Sequence, residues 1–222
     1  MNIVIIPAYN EAKKIFHITQ IVKNLGYKVV VVDDGSSDST AQVAYRAGAV
    51  VLRHFVNRGY GAALQTGNLY ALRNGYDVII HFDGDGQHNA QEIKDMIAPI
   101  QSGNADVVIG SRFLSNHESL PIIRKVLIKF AVLFTWIFSS IKLTDAHNGF
   151  RAFSRRALVV IQCRQDGMSY ASEVIDQIAE HKLKIVEVPV TIKYTDYSQS
   201  KGESNIKKIL VGVRFLWGKV IK

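Results

Sequence analysis

This chain has little cysteine, no long uninterrupted apolar run, and two segments with no acid at all. The single cysteine in 222 residues, Cys163, leaves no internal disulfide to form and fits a reducing compartment; it reads as an inert core thiol. The most apolar stretch, 126–141, is 16 residues long with Lys129 inside it. That is below the roughly 20 residues a helix needs to cross a bilayer. Repeats, low-complexity tracts and obvious linkers are lacking, and the 48% hydrophobic and 21% charged content is that of a globular protein. No basic, apolar and small-residue leader precedes Asn2-Ile-Val-Ile-Ile6, so the chain is expected to stay in the cytoplasm.

The acid-free segments explain the net charge of +8. Residues 121–143 hold Arg124, Lys125, Lys129 and Lys142, and residues 205–222 hold Lys207, Lys208, Arg214, Lys219 and Lys222. Without those nine, 18 basic residues face 19 acidic ones. Both segments are also strongly apolar: Ile206, Ile209, Leu210, Val213, Leu216, Trp217 and Val220 follow helical spacing. Positive charge joined to an apolar stripe points to an anionic membrane surface rather than to nucleic acid. Both segments read as interfacial helices; amphipathic helices packed on the protein itself are the alternative.

The first 110 residues alternate between short β-branched runs (Ile3–Ile6, Val29–Val32, Val50–Leu52, Val78–Phe82, Val107–Ile109) and stretches of helical period such as Ile15, Ile18, Val22 and Leu25. This pattern predicts a single α/β domain with a mostly parallel sheet flanked by helices, whose ligands bind beyond the carboxyl ends of the strands. The polar clusters fall at those ends. Pro7-Ala-Tyr-Asn-Glu11 follows the first run, Asp33-Asp-Gly-Ser-Ser-Asp-Ser-Thr40 the second, and Phe82-Asp-Gly-Asp-Gly-Gln-His88 the fourth.

In the last cluster, alternation across glycines lets Asp83, Asp85 and Gln87 converge, a set of hard oxygen donors suited to Mg²⁺ or Mn²⁺. The same run also suits a polar turn, because Asp-Gly pairs are common turn formers. Asp33 and Asp34 can hydrogen-bond a nucleotide's base edge or ribose, or belong to a loop that caps the next helix through Ser36, Ser37 or Asp38. Asn57-Arg-Gly-Tyr-Gly-Ala-Ala63 opens a helix and can offer backbone N–H groups to a phosphate. Close helix packing explains its small residues equally well. The seven histidines lack metal-ligand spacing. His88 adjoins the acidic run, and His81 and the others read as structural.

Together, Pro7-Ala-Tyr-Asn-Glu11, Asp33-Asp-Gly-Ser-Ser-Asp38 and Asp83-x-Asp-x-Gln-His88 resemble successive motifs of the family 2 glycosyltransferases, which have the GT-A fold. Gly110-Ser-Arg112, Asp145-x-x-x-Gly-Phe-Arg151, and Glu187-Val-Pro-Val190 leading to Gly202-Glu-Ser204 are similar to the polyprenyl-phosphate, dolichyl-phosphate mannose synthase-like branch. The likeness spans nearly the whole chain. It implies an inverting transferase that moves a sugar from a nucleotide donor, with UDP the preferred nucleotide, to a polyprenyl phosphate at the inner membrane face. Pro7, Ala8, Tyr9, Asn10, Glu11, Asp33, Asp34, Gly61, Asp83, Gly84 and Asp85 would bind the nucleotide-sugar, and Asp83, Asp85 and Gln87 the metal. Arg112 matches an arginine that grips the acceptor phosphate, and Arg124 a second. The branch often has an arginine before its Gly-Glu-Ser-Lys run. Here Lys193 and Tyr194 stand nearby and Asn205 ends the run, leaving Lys201 to supply the charge. Members of the branch often carry C-terminal membrane helices, so a small membrane-protein partner or a homo-oligomer is a further expectation.

A phosphate acceptor is already a nucleophile and needs positioning cations rather than a base. A saccharide hydroxyl acceptor would instead need a carboxylate base, for which Glu173 and Asp145 are the candidates. A nucleotidyltransferase, which shares such a sheet, normally begins with a Gly-rich, Arg-containing loop where Pro-Ala-Tyr-Asn-Glu stands here.

Overall fold

A computed structural model describes residues 1–114, 141–167 and 169–192. In chain order the elements are β1 (Asn2–Ala8), α1 (Ile15–Asn24), β2 (Lys28–Asp33), α2 (Thr40–Arg46), β3 (Val50–Arg53), α3 (Tyr60–Arg73), β4 (Val78–His81), α4 (Ile93–Gln101), β5 (Val107–Ser111), β6 (Arg151–Ser154), α5 (Arg155–Val160), α6 (Tyr170–Glu180) and β7 (Ile185–Pro189). The strands form one sheet in the order β3-β2-β1-β4-β6-β5-β7.

Apart from the edge strand β3, the β-branched runs become strands buried on both faces, as a parallel sheet between helices requires. Side chains alternate across it. Ile3, Ile5, Val30, Val32 and Ile79 face Leu64 of α3 and Val174, Ile175 and Ile178 of α6. Val4, Ile6, Val29, Val31 and Ile80 face Ile15, Ile18 and Val22 of α1 and Ile93, Met96 and Ile97 of α4. The predicted α1 stripe is therefore its packed face, with Leu25 at its edge.

β1, β2, β3 and β4 run parallel. β6 alone is antiparallel, wedged between β4 and β5, while β5 and β7 are parallel to each other. Being antiparallel to the same strand, β4 and β5 point the same way. The carboxyl ends of β1, β2, β4, β5 and β7 therefore share one edge with the start of β6. Segments 9–14, 34–39, 82–89, 112–114 and 145–150 all meet there.

Of the two basic apolar segments, only the end of the first lies within the described residues. Ile141 and Leu143 pack against the core on the α3–α6 side. The rest of 121–143, all of 205–222, and Arg124, Lys193, Tyr194 and Lys201 lie outside the described residues. Among the described residues, no helix is long and apolar enough to cross a membrane.

Candidate active site

The first two loops are joined by side chains that cap backbone N–H groups. Asn10 N–H donates to Ser36 Oγ (2.9 Å), Glu11 N–H to Thr40 Oγ1 (2.8 Å) and Ala12 N–H to Asp38 Oδ2 (3.2 Å). Asn10 takes a left-handed conformation (φ 54°), and its Oδ1 accepts from Ser37 N–H at 3.0 Å. An asparagine tolerates that region better than most residues. Glu11 is buried, whereas Tyr9 projects from this edge, 47% exposed.

Asp33 and Asp34 face inward rather than toward open space. Asp33 Oδ1 accepts from Ser36 N–H (3.0 Å), and its Oδ2 lies 3.1 Å from Arg53 Nε as a charge contact without hydrogen-bond alignment. Asp34 Oδ1 accepts from Arg58 N–H (2.9 Å) and pairs with His54 Nδ1 (2.6 Å), while Oδ2 accepts from Gly59 N–H (2.7 Å). These carboxylates tie loops 34–37 and 54–59 to the sheet.

Gly61 opens α3 against a neighbouring loop. Its N–H donates to Asp166 O (2.8 Å), as does Ala62 N–H (3.3 Å), so the carbonyl of a neighbouring loop caps α3. A Cβ on Gly61 would sit 2.1 Å from Gln165 O. The glycine permits this close contact between α3 and the 165–167 loop.

Asp83, at the end of β4, is held on both oxygens. Tyr60 Oη donates to Oδ1, and His88 Nε2 pairs with Oδ2 at 2.8 Å. Burial pushes this carboxyl up, but His88 and the two hydrogen bonds outweigh it and hold it below the usual range. His88 is itself set by ring contacts with Phe82 (5.5 Å) and Phe150 (5.0 Å). Gly149 completes the enclosure, since a Cβ there would lie 2.7 Å from Asp83 Oδ2. Asp85 differs: burial and the nearby Asp83 charge push its carboxyl up. Its Oδ1 accepts from Gln87 N–H (3.0 Å), and its carbonyl accepts from Lys14 Nζ (2.8 Å).

Among the described residues, no group of three His, Cys, Asp or Glu side chains is arranged to hold a metal. The expected donor set is smaller, two carboxylates and an amide, and it passes a test of charge. Burial and the Asp83 charge both disfavour an ionised Asp85, a cost that a divalent cation would offset.

On the other side, Arg112 follows β5. Its Nε donates to Asp145 Oδ2 (2.6 Å), and its backbone N–H reaches the same oxygen (3.2 Å). Asp145 is wholly buried. Thus the loop 145–150 touches Arg112 at its start and Asp83 at its end. Arg151 anchors the loop: fully buried, it donates to the carbonyls of Ala146 (2.9 Å), Asn148 (2.9 Å) and Ala171 (3.4 Å) and lies 5.3 Å from the Tyr170 ring. Glu173, the other candidate base, caps a different loop by accepting from Arg164 and Gln165 N–H (3.0 and 2.9 Å).

Tyr60, Lys14, Gly149 and Glu187 were given no individual role by the sequence. Tyr60 sits inside the glycine-rich segment that was read for its glycines alone. Lys14 carried no signal beyond its place after the first loop.

The Glycosyl transferase family 2 model matches residues 3–161. The chain belongs to glycosyltransferase family 2. It is 31% identical over 235 residues to the UDP-N-acetylglucosamine–dolichyl-phosphate N-acetylglucosaminyltransferase of Methanococcus voltae, covering 96% of this chain and 92% of that one. It is 30% identical over 231 residues to the polyprenol monophosphomannose synthase of Mycolicibacterium smegmatis, covering 98% and 86%. These relatives bear out the likeness to the polyprenyl-phosphate branch. Glucosyl-3-phosphoglycerate synthase from Mycobacterium tuberculosis, solved with Mn²⁺, UDP and phosphoglyceric acid, superposes with a TM-score of 0.68 at 17% identity, covering 90% of this chain and 72% of that one. The fold of this glycosyltransferase is therefore GT-A, as expected.

Proposed function

We propose that this glycosyltransferase moves a sugar, with inversion and with Mg²⁺ or Mn²⁺, from a nucleotide donor to a polyprenyl phosphate at the cytoplasmic face of a membrane. Residues 1–222 are read as one domain that binds the donor, the acceptor and the bilayer surface. One observation carries the reading: the loop 145–150 joins an acidic pocket at Asp83 to a cation at Arg112.

On the donor side, the 7–11 turn and exposed Tyr9 receive the base and ribose. Asp33 and Asp34 keep the neighbouring loops in place around them. Asp83, Asp85 and Gln87 would hold the cation, Asp83 being fixed for that by Tyr60 and His88. When bound, such a cation offsets the charge that develops on the departing nucleoside diphosphate, so no protein acid is needed. On the acceptor side, Arg112 grips the phosphate, with Arg124 and Lys201 assigned the same task from sequence alone. A phosphate oxygen attacks the anomeric carbon, its bond to the diphosphate breaks, and no proton has to be removed.

The alternative acceptor, a saccharide hydroxyl, needs a base, and both candidate acids are already engaged: Asp145 with Arg112, Glu173 with backbone N–H groups. A screen of UDP-, GDP- and dTDP-sugars with undecaprenyl phosphate, with and without EDTA, tests the proposal. Metal-dependent transfer to the lipid phosphate is the expected result. Transfer only to a hydroxyl acceptor would overturn it. The relatives named for dolichyl phosphate and polyprenol support the lipid acceptor, and the M. voltae relative supports a UDP-sugar.

A further inference from the structure

Three sequence motifs far apart in the chain meet around one arginine. Glu187, half-buried on β7, accepts from Thr144 N–H (2.7 Å to Oε2), Thr144 Oγ1 (2.9 Å to Oε1) and Asp145 N–H (2.9 Å to Oε1). Ser111, on β5, links its hydroxyl to that of Thr144 at 2.6 Å. Asp145 in turn takes Arg112 Nε and backbone N–H, and Asn148 Nδ2 at 3.3 Å, all on Oδ2. Its Oδ1 is buried with no hydrogen-bond partner among the described residues. A carboxylate so enclosed is badly placed to exchange a proton with an acceptor. It is well placed to fix the plane of a guanidinium.

We infer that Asp145 is a positioning residue, with Glu187 behind it, that sets Arg112 for the acceptor's phosphate. This rests on the reading of Arg112 as the phosphate grip. An arginine left to its own rotamers loses conformational freedom each time it binds, whereas one held at Nε by a buried carboxylate is already ordered. The hydroxyl pair of Ser111 and Thr144 and the three bonds to Glu187 stop Asp145 from following the arginine outward. The arrangement therefore acts on acceptor affinity through Arg112.

A double-mutant cycle tests this, with binding of farnesyl phosphate measured by calorimetry on the full chain. Arg112→Gln and Asp145→Asn are each expected to raise Kd about tenfold, the loss of one charge-assisted contact. The double variant should bind no more weakly than Arg112→Gln alone, because coupled residues do not add. An unchanged Kd in Asp145→Asn, or factors that multiply in the double variant, overturns the inference. An unchanged Kd in Arg112→Gln overturns the reading of Arg112 itself, a separate outcome that takes the inference with it. If Asp145→Asn does not fold, as near-UV circular dichroism would report, Glu187→Gln replaces it in the cycle. That change loosens the Asp145 backbone without uncovering a buried charge, and the same non-additivity with Arg112→Gln is required.

Discussion

Asp83 is gripped by a phenol from α3 and an imidazole from its own loop, so its orientation is settled before any ligand arrives. Tyr60→Phe removes one of those grips without changing the ring's packing on Tyr170. A hydrogen bond to a charged acceptor is worth about 1.5–3 kcal/mol, so kcat/KM for sugar transfer should fall by about tenfold or more, and the melting temperature should drop by several degrees as well. Steady-state kinetics across a Mn²⁺ titration checks this.

His81 gives a prediction in pH. It is fully buried and bonds Asn68 Oδ1 through Nε2 at 2.8 Å, with Nδ1 unpartnered among the described residues. Burial, helped by the Arg151 charge, lowers it from 6.5 to about 3. The folded ring stays neutral while the unfolded one takes up a proton, so stability is intact above about pH 6.5 and lost as pH falls toward 3. Between pH 7 and 5 this one group should cost about 2 kcal/mol at about 1.36 kcal/mol per unit. Urea denaturation of the native chain and His81→Gln at both pH values isolates it: the variant should lose that much less. Burial also drives the Cys163 thiol up to about 12, in keeping with the inert core thiol expected from sequence.

At this scale the sequence was readable for residue type and place but not for contact. The acids at strand ends were visible because side-chain period and loop position follow from the pattern. Whether each carboxylate would face a ligand or a neighbouring N–H depends on loops that approach from elsewhere. Asp34 is the clearest example: three of its partners come from the segment beyond β3.

Among the elements, α3 shows local preference giving way to packing. Gly67 lies in the middle of this helix, where alanine would normally gain up to about 1 kcal/mol. Here the added Cβ would meet Ile5 Cγ2, deep in β1, at 2.4 Å. Overpacking of that kind costs about 1–3 kcal/mol, so Gly67→Ala should lower stability in a denaturant melt despite the better helix former. The alternation of strands and helices through β5 was legible because period two and period 3.6 differ plainly in β-branched and amphipathic runs. β6 was not. Its run of Arg151-Ala-Phe-Ser154 is short, begins with a buried charge, and pairs antiparallel with β4 and β5, both of which precede it by many residues.

For the whole molecule, the arithmetic of charge outweighs the detail of any one contact. Nine uncompensated cations lie in two apolar segments, and the remaining chain carries a net charge of −1. Sedimentation with vesicles containing anionic lipid should therefore be strong at low salt and fall several-fold between about 50 and 500 mM NaCl, as screening shortens the reach of the charges. Neutral vesicles should bind less. Equal binding to both would remove the electrostatic part of the proposal.

The antiparallel strand has a consequence for how the protein comes into being. Every other strand at the working edge leaves the sheet there, and β6 alone enters it, bringing the segment that encloses Asp83 and holds Arg112. During synthesis the 82–88 loop and Tyr60 emerge early, yet the wall on their far side does not exist until β6, residues 151–154, has been made and has slotted between β4 and β5. A nascent chain stalled before that point would carry the acids without their enclosure. If the proposed donor binds here, its capture is expected only once β6 has closed the sheet.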